Sequence, residues 1–392
     1  MSSIAERLVQ SNNYRNLEYT LAAIVERILE QNRKRRQVAE VLRGLKERID
    51  LAQIDEAEHK EIMEPRFVTA VDQADLTDMM VMGVDGGMLS RVLHGLDLIL
   101  VRAIATIFRY HEGELSEVEY YPSELPPPRL ISLAEPLDTR ELELVIGMER
   151  QLTELKLATE ALKTHGGDLL LLDGSIVPQY VDRPPQKSKI LELYRELVAT
   201  FSNLYNMCTK SEVLLAGVVK DSRSARFIDI FQRKILPSLI ENCNIPPEHV
   251  SVLTDGDFLS CSRDTVFLNH MLEVGERTFA FTYTGTPSGY PLRDLSERFQ
   301  RIQVFYIKTV PYDRPLRIEF LQSKDERVAD RLASLIYALS AHHNAYGLPS
   351  VLIEADVRAR LAEEELDILH DSIADRIGPS TLLDLRRHRR PF

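Results

Sequence analysis

The chain has 392 residues and a formal net charge of −12, with 48 Lys and Arg against 60 Asp and Glu. At 44% hydrophobic and 28% charged it has an ordinary globular composition, long enough for two domains or one large elaborated one. The acidic balance argues against a protein that coats nucleic acid nonspecifically, and Cys208, Cys243 and Cys261, with no CxxC spacing, argue against a zinc cluster or a disulfide framework.

The N-terminus MSSIAERLVQ has no signal-peptide core, and the apolar stretch LDLILVRAIATIFR is broken by Asp97, Arg102 and Arg109, so a cytoplasmic location with no membrane span is expected. Residues 4–63 are nearly free of Gly and Pro and carry apolar residues at helical spacing, as in Leu21, Ile24, Val25 and Ile28. This predicts two or three helices over 1–65, in an α-hairpin or a dimer or partner arm.

From residue 66 the pattern turns to β. A strand is expected over 79–85, one or two more over 88–109 turning near His94-Gly95, and another at 117–122. The Pro-rich stretch 122–136 reads as an extended surface loop. Residues 138–165 read as a helix capped by Asp138 or Thr139 and stopped by Gly166-Gly167. A strand at 168–173, helix at 186–207, strand at 212–219 and helix at 224–241 continue the alternation. Strands at 278–284, 302–308 and 315–321 and helices at 326–345 and about 350–364 close it. The order implies an α/β fold, a mixed sheet flanked by helices with an N-terminal helical extension. The tail 371–392 is basic at its end, with Arg386, Arg387, Arg389 and Arg390.

Two segments carry the strongest chemical signal. MVMGVDGG (80–87) and DLLLLDGS (168–175) are apolar runs that reach Asp and then Gly. Each reads as a buried strand ending on its Asp, which places Asp85 and Asp173 at strand C-termini and, if the strands share a sheet, at one edge of it. Paired carboxylates there suit a hard divalent cation. Asp-Gly is also a common turn dipeptide, so one such segment alone says little. Glu154, mid-helix in ERQLTELKLA, is a further candidate ligand, with Glu149 and Glu160 as competitors. Lys220 follows the strand LLAGVV and is placed to meet phosphate, as is Arg223 beside Ser222 and Ser224 near a helix start. Glu354 and Asp356 are two apart, so at most one can serve a common site. Adjacent His342 and His343 diverge on a helix and make a poor zinc site. Asp255 and Asp257 in LTDGDF form a further acidic pair or a turn. No P-loop, nucleophile elbow or dinucleotide fingerprint occurs.

In order, GVDGG, RQLTELKLA, LLLLDGSI, GVVKDS and GLPSVLIEAD resemble the NurA nuclease family over roughly residues 78–360. The resemblance implies a ribonuclease-H-like core over 66–370 and metal-dependent DNA cleavage with Mn²⁺ or Mg²⁺, two ions in all. It implies Asp85, Glu154, Asp173 and Asp356 as ligands and catalytic residues beside Lys220, and Arg150, Lys220 and Arg223 as DNA contacts. It also implies a homodimer that works with a HerA-like hexameric ATPase in resecting DNA ends. One departure stands out. Where the family pattern has Tyr-Pro and then Ala-His, this chain has Leu348-Pro349 and Ala355-Asp356. An altered or inactive partner subunit, or a metal-dependent phosphatase or nucleotidase, are the other readings.

Overall fold

The structure, a computed structural model, describes residues 12–377 apart from 53, 55–60, 136, 179–182, 243–244, 255–258, 260–261, 285–292, 296–301 and 324. The N-terminal segment forms one continuous helix, α1 (Asn12–Leu45), followed by a 3-10 turn, Lys46–Arg48, instead of the expected hairpin. No Gly or Pro interrupts residues 12–43, so nothing in the chain forces a reversal. Its second half buries Val38, Ala39, Leu42 and Leu45 against later helices, while Leu21, Ile24 and Ile28 in the first half are exposed.

Strand β1 (Val68–Ala70) precedes a long hairpin of β2 (Met80–Leu93) and β3 (Leu96–His111). The turn falls at His94-Gly95, where Gly95 takes a φ of +88°. Strand β4 (Glu114–Tyr121) pairs with the C-terminal half of β3. The Pro-rich stretch is not all loop: β5 (Arg129–Leu133) pairs with the N-terminal half of β3, from Val101 opposite Arg129 to Asp97 opposite Leu133. The length of β3 leaves that half open, and Leu130, Ile131 and Leu133 suit a strand.

Helix α2 (Thr139–His165) begins where Asp138 accepts a 2.8 Å hydrogen bond from Glu141 N and ends at Gly166, as its caps predict. Strand β6 (Leu169–Asp173), α3 (Leu191–Lys210) and β7 (Leu214–Val219) follow. The helix expected at 224–241 is α4 (Arg226–Ile230), a π-helical turn (Phe231–Ile235) and α5 (Leu236–Asn242) in succession. Then come α6 (Pro247–Thr254) and α7 (Asp264–Met271). The strand expected at 278–284 divides into β8 (Glu276–Thr278) and β9 (Phe281–Thr282), which pair with different parts of β10 (Ile302–Ile307). Strand β11 (Leu316–Leu321), α8 (Val328–Ser340), α9 (Ser350–Ala359) and α10 (Glu363–Ile377) complete the chain. The last helix was expected over about 350–364; α9 ends earlier, at Ala359, and α10 is a further helix that reaches into the stretch read as tail. At the break between them buried Arg102 binds Arg360 O at 2.9 Å and Glu365 at 2.5 Å.

All the strands join one mixed sheet in the order β1-β8-β10-β11-β7-β6-β2-β3-β4, with β5 on β3 and β9 on β10. Within it, β4-β3-β2 are antiparallel and β6 and β7 run parallel to β2, a ribonuclease-H-like arrangement. Side chains alternate across the sheet. Met82, Val84, Leu170 and Leu172 pack toward α2 and α3. Val81, Leu169, Leu171, Ala216 and Val218 pack toward α8 and α9. A third core under α1, α4 and α7 holds Phe67, Phe227, Phe279 and Tyr306. Among the described residues no helix is long and apolar enough to cross a membrane.

Candidate active site

Register brings the first two carboxylates together. Val84 pairs with Leu172 on parallel strands, so Asp85 and Asp173 occupy equivalent next positions. Asp173 pairs with Val218 of β7, and Lys220 lies two residues farther along. By the alternation above, Asp85, Asp173 and Lys220 share the sheet face that α9 covers. Helix α9 then delivers Asp356. Asp85, Asp173 and Asp356 each offer a carboxylate oxygen within 4.8 Å of the others, and Lys220 Nζ sits 2.5 Å from Asp173 and 3.7 Å from Asp356.

The glycines explain how a helix comes so close. A Cβ on Gly83 would lie 2.8 Å from Val351 O, and one on Gly87 would lie 2.3 Å from Ala359 O. Those bare positions flank Asp85 on the same face and seat α9 on β2. The sequence reading ended β2 at Asp85 with a turn at Gly86-Gly87. The strand instead runs on to Leu93, and these glycines serve close approach. The expectation holds for Asp173, which ends β6 before Gly174 at φ +118°.

Glu154 reaches the site from the other face. It lies on α2 beneath Gly86, where a Cβ would meet its Oε1 at 2.5 Å. It stands outside the three-carboxylate group. Its Oε1 is buried without a hydrogen-bond partner, and Arg150 is 3.4 Å away. Arg150 also donates to Gly86 O at 3.3 Å. Glu149 pairs instead with Arg129 at 3.2 Å, and Glu160 is exposed. Glu354 is engaged by Tyr120 at 2.8 Å and Arg358 at 2.9 Å, which leaves Asp356 as the α9 acid of the cluster. Arg223 is exposed in the turn after β7. Leu348, at the departure from the family pattern, is buried in the core under α8 and α9. Asp255, Asp257 and the Arg386–Arg390 stretch lie outside the described residues.

The electrostatics are those of crowded acids. Burial, then the charge of Asp173, pushes Asp85 up to about 7. Burial likewise raises Asp173, against its bond to Lys220, and Asp173 also hydrogen-bonds Asp85. Burial lifts Glu154 to about 8 in spite of Arg150, with Asp85 and Asp173 adding to it. For Lys220, burial works against the ammonium, but the bond to Asp173 and the charges of Asp173, Asp356 and Asp85 outweigh it and raise the pKa. A site this rich in carboxylates, held by rigid strands, is built for a cation.

One supporting network had no clear sequence signal. Glu319, 2% exposed, accepts from Ser175 Oγ at 2.5 Å, Ile176 N at 3.3 Å and Arg317 Nε at 2.8 Å. Arg317 in turn donates to Tyr306 OH, which donates to buried Asp264 at 2.8 Å. This network holds the turn directly after Asp173. The only hint is the alternation of charge in LRIEFL, which puts Arg317 and Glu319 on one face of an otherwise apolar strand.

Comparison with known proteins fits this geometry. The family model for the NurA domain matches residues 80–361. Among solved structures, the NurA nuclease from Sulfolobus solfataricus superimposes with a TM-score of 0.54 at 14% identity, covering 97% of this chain and 99% of that one. At that identity the likeness concerns the fold. A second NurA structure matches with a TM-score of 0.47 at 10% identity, over 91% of this chain and 96% of that one. A NurA structure bound to dAMP and manganese matches with a TM-score of 0.41 at 11% identity, over 89% and 95%. A comparison with curated proteins finds no match.

Proposed function

The chain belongs to the NurA family, and on that premise we propose that it is a metal-dependent deoxyribonuclease hydrolysing phosphodiester bonds at the Asp85–Asp173–Asp356 cluster. The convergence of these three carboxylates from two parallel strands and a helix carries the reading. The donor set fits a divalent cation: Asp85 and Asp173 are pushed toward protonation by burial and by neighbouring charge, Asp356 meets them from the exposed side, and Glu154 Oε1 is a buried acceptor with no hydrogen-bond partner, 3.4 Å from Arg150. Asp85, Asp173 and Asp356 would hold the ion, with Glu154 completing the donors. All four offer oxygen, which suits Mn²⁺ or Mg²⁺, and four carboxylates have charge enough for two ions. Bound there, such an ion supplies Lewis acidity toward a phosphate oxygen and makes water a stronger acid.

The chain's own residues do the rest. Lys220 offsets carboxylate charge where a phosphate must approach and, with Arg150 and Arg223, is assigned to DNA contact. Asp356 supplies an oxygen donor at the position where the family pattern has His, which weighs against a decayed site. Family membership supports finer proposals: end resection at double-strand breaks with a HerA-type hexameric ATPase, 5′–3′ exonuclease or single-strand endonuclease action, homodimerisation and a cytoplasmic setting. We further assign 66–370 to the nuclease domain, 1–65 to a dimer or partner arm and 371–392 to a basic tail.

The test is cleavage of end-labelled single- and double-stranded DNA with Mn²⁺, Mg²⁺ or EDTA, beside Asp173→Ala. Cleavage that needs the metal and is lost in the variant is expected. Undiminished cleavage by Asp173→Ala, or in EDTA, refutes the assignment.

A further inference from the structure

A polyanion entering a cluster of acids needs cationic groups that are free to meet it. Most cations near the cluster are committed. Lys220 is 2.5 Å from Asp173, and Arg150 is held by Glu154 and Gly86 O. Arg358 is bound by Glu354 at 2.9 Å and Glu124 at 2.6 Å. Arg102 and Arg91 are bound by Glu365 and Asp367, each at 2.5 Å. Arg360 differs. It lines the same cleft as Asp85 and Asp356, is exposed, and its guanidinium has no hydrogen bond or ion pair among the described residues.

The backbone of Arg360 is nevertheless fixed from both sides. Its N–H donates to Asp356 O at 3.2 Å, and its carbonyl accepts from Arg102 at 2.9 Å. Arg102 is itself 5% exposed and anchored by Pro126 O at 2.8 Å. A fixed backbone carrying an unpaired planar cation suits a phosphate. Arg360 also forms the wall shared with a neighbouring cleft lined by Leu89, Leu125 and Val357 and by the acids Glu363, Glu364 and Glu365, so its guanidinium stands as a cation between two acidic surfaces.

We propose that Arg360 is a substrate-binding residue that takes a backbone phosphate of the nucleic-acid strand next to the one cut. The assignment rests on the nuclease reading above. Its competitor is a purely structural role, in which Arg360 only complements the C-terminal end of α9.

The experiment measures binding of a short fluorescein-labelled single-stranded oligodeoxynucleotide by anisotropy, in Ca²⁺ with strand integrity checked, across a salt series. Wild type, Arg360→Ala and Arg360→Lys are compared, with Arg33→Ala on α1 as a distant control. Arg360→Ala should lose about tenfold in affinity and flatten the log–log salt slope by about 0.7, the loss of one phosphate contact on a single strand. Arg360→Lys should recover the salt slope but only part of the affinity, Arg33→Ala should match wild type, and melting temperatures should agree. An Arg360→Ala protein with wild-type affinity and slope overturns the assignment, as does a loss of binding matched by a loss of melting temperature. A wild type that neither binds nor cleaves DNA refutes the nuclease reading, and Arg360 falls with it.

Discussion

Gly87 is the position where one added methyl group should do most damage to the site. In Gly87→Ala the new Cβ would stand 2.3 Å from Ala359 O and 3.1 Å from Ala359 C. Both are backbone atoms of α9, so no side-chain rotation relieves the clash. An ordinary contact begins at 3.4 Å, so the helix end must retreat by about 1 Å. Ala355 and Ala359 are buried against Ile104, and that retreat opens their packing. Overpacking of this kind costs about 1–3 kcal/mol, or a few degrees in melting temperature. Asp356 lies one helical turn before Ala359 and moves with it. A displacement of about 1 Å in a catalytic group is worth roughly a hundredfold in rate. Calorimetric Mn²⁺ titration, thermal melting and DNA cleavage read the three consequences separately. Gly86→Ala is the control for stability alone: its Cβ meets Oε1 of Glu154 at 2.5 Å and Cγ at 2.8 Å, side-chain atoms that can shift where backbone cannot, so its stability loss should be smaller. A Gly87→Ala protein with wild-type melting and wild-type Mn²⁺ affinity would show that α9 is not seated on β2 in this way.

The carboxylate pKa values fix a pH dependence. Asp85 at about 7 and Glu154 at about 8 lie above their ordinary values, so the metal-free folded protein holds protons that the unfolded chain releases. Their contribution to stability therefore falls as pH rises from about 4 toward 8 and is constant above that. Mn²⁺ must displace those protons. Titrations in buffers of different ionisation enthalpy should show proton release near pH 6 that vanishes well above pH 8, and no buffer dependence would contradict the assignment. Lys220→Met removes the cation that favours ionised Asp173, so the pH midpoint of Mn²⁺ binding should move up; a downward move would count against that role. Glu319→Ala strands buried Arg317 and unties Ser175, at a cost of about 3–5 kcal/mol in urea unfolding, whereas Glu319→Gln should lose less. Equal stability of all three forms would show that the network does not hold the turn after Asp173.

What the sequence discloses here depends on whether the cause is local. Asp85 and Asp173 are legible because each follows a short apolar run, and two such runs on neighbouring parallel strands must bring their next residues side by side. The caps of α2 are legible for the same reason, since Asp138 and Gly166 act on their own helix. The third acid of the cluster is not. Asp356 becomes a neighbour of Asp85 only through the seating of α9, and nothing within SVLIEADVRA announces that contact. The family pattern supplied it. Glu154 reads from its helix only as an acid that could reach the sheet edge; that it comes from beneath, at the gap left by Gly86, has no local sign. The glycines make the limit plain. Gly174 and Gly87 both follow an Asp-led apolar run, yet one bends the backbone at φ +118° and the other leaves a strand straight so that a helix can touch it. The same residue type answers two different demands, and only the atom 2.3 Å from the missing Cβ says which. A functional reading of the DGG segment therefore belongs with the helix that packs on it: Gly83 and Gly87 set the height of α9, and that height decides whether Asp356 reaches Asp85 and Asp173 at all.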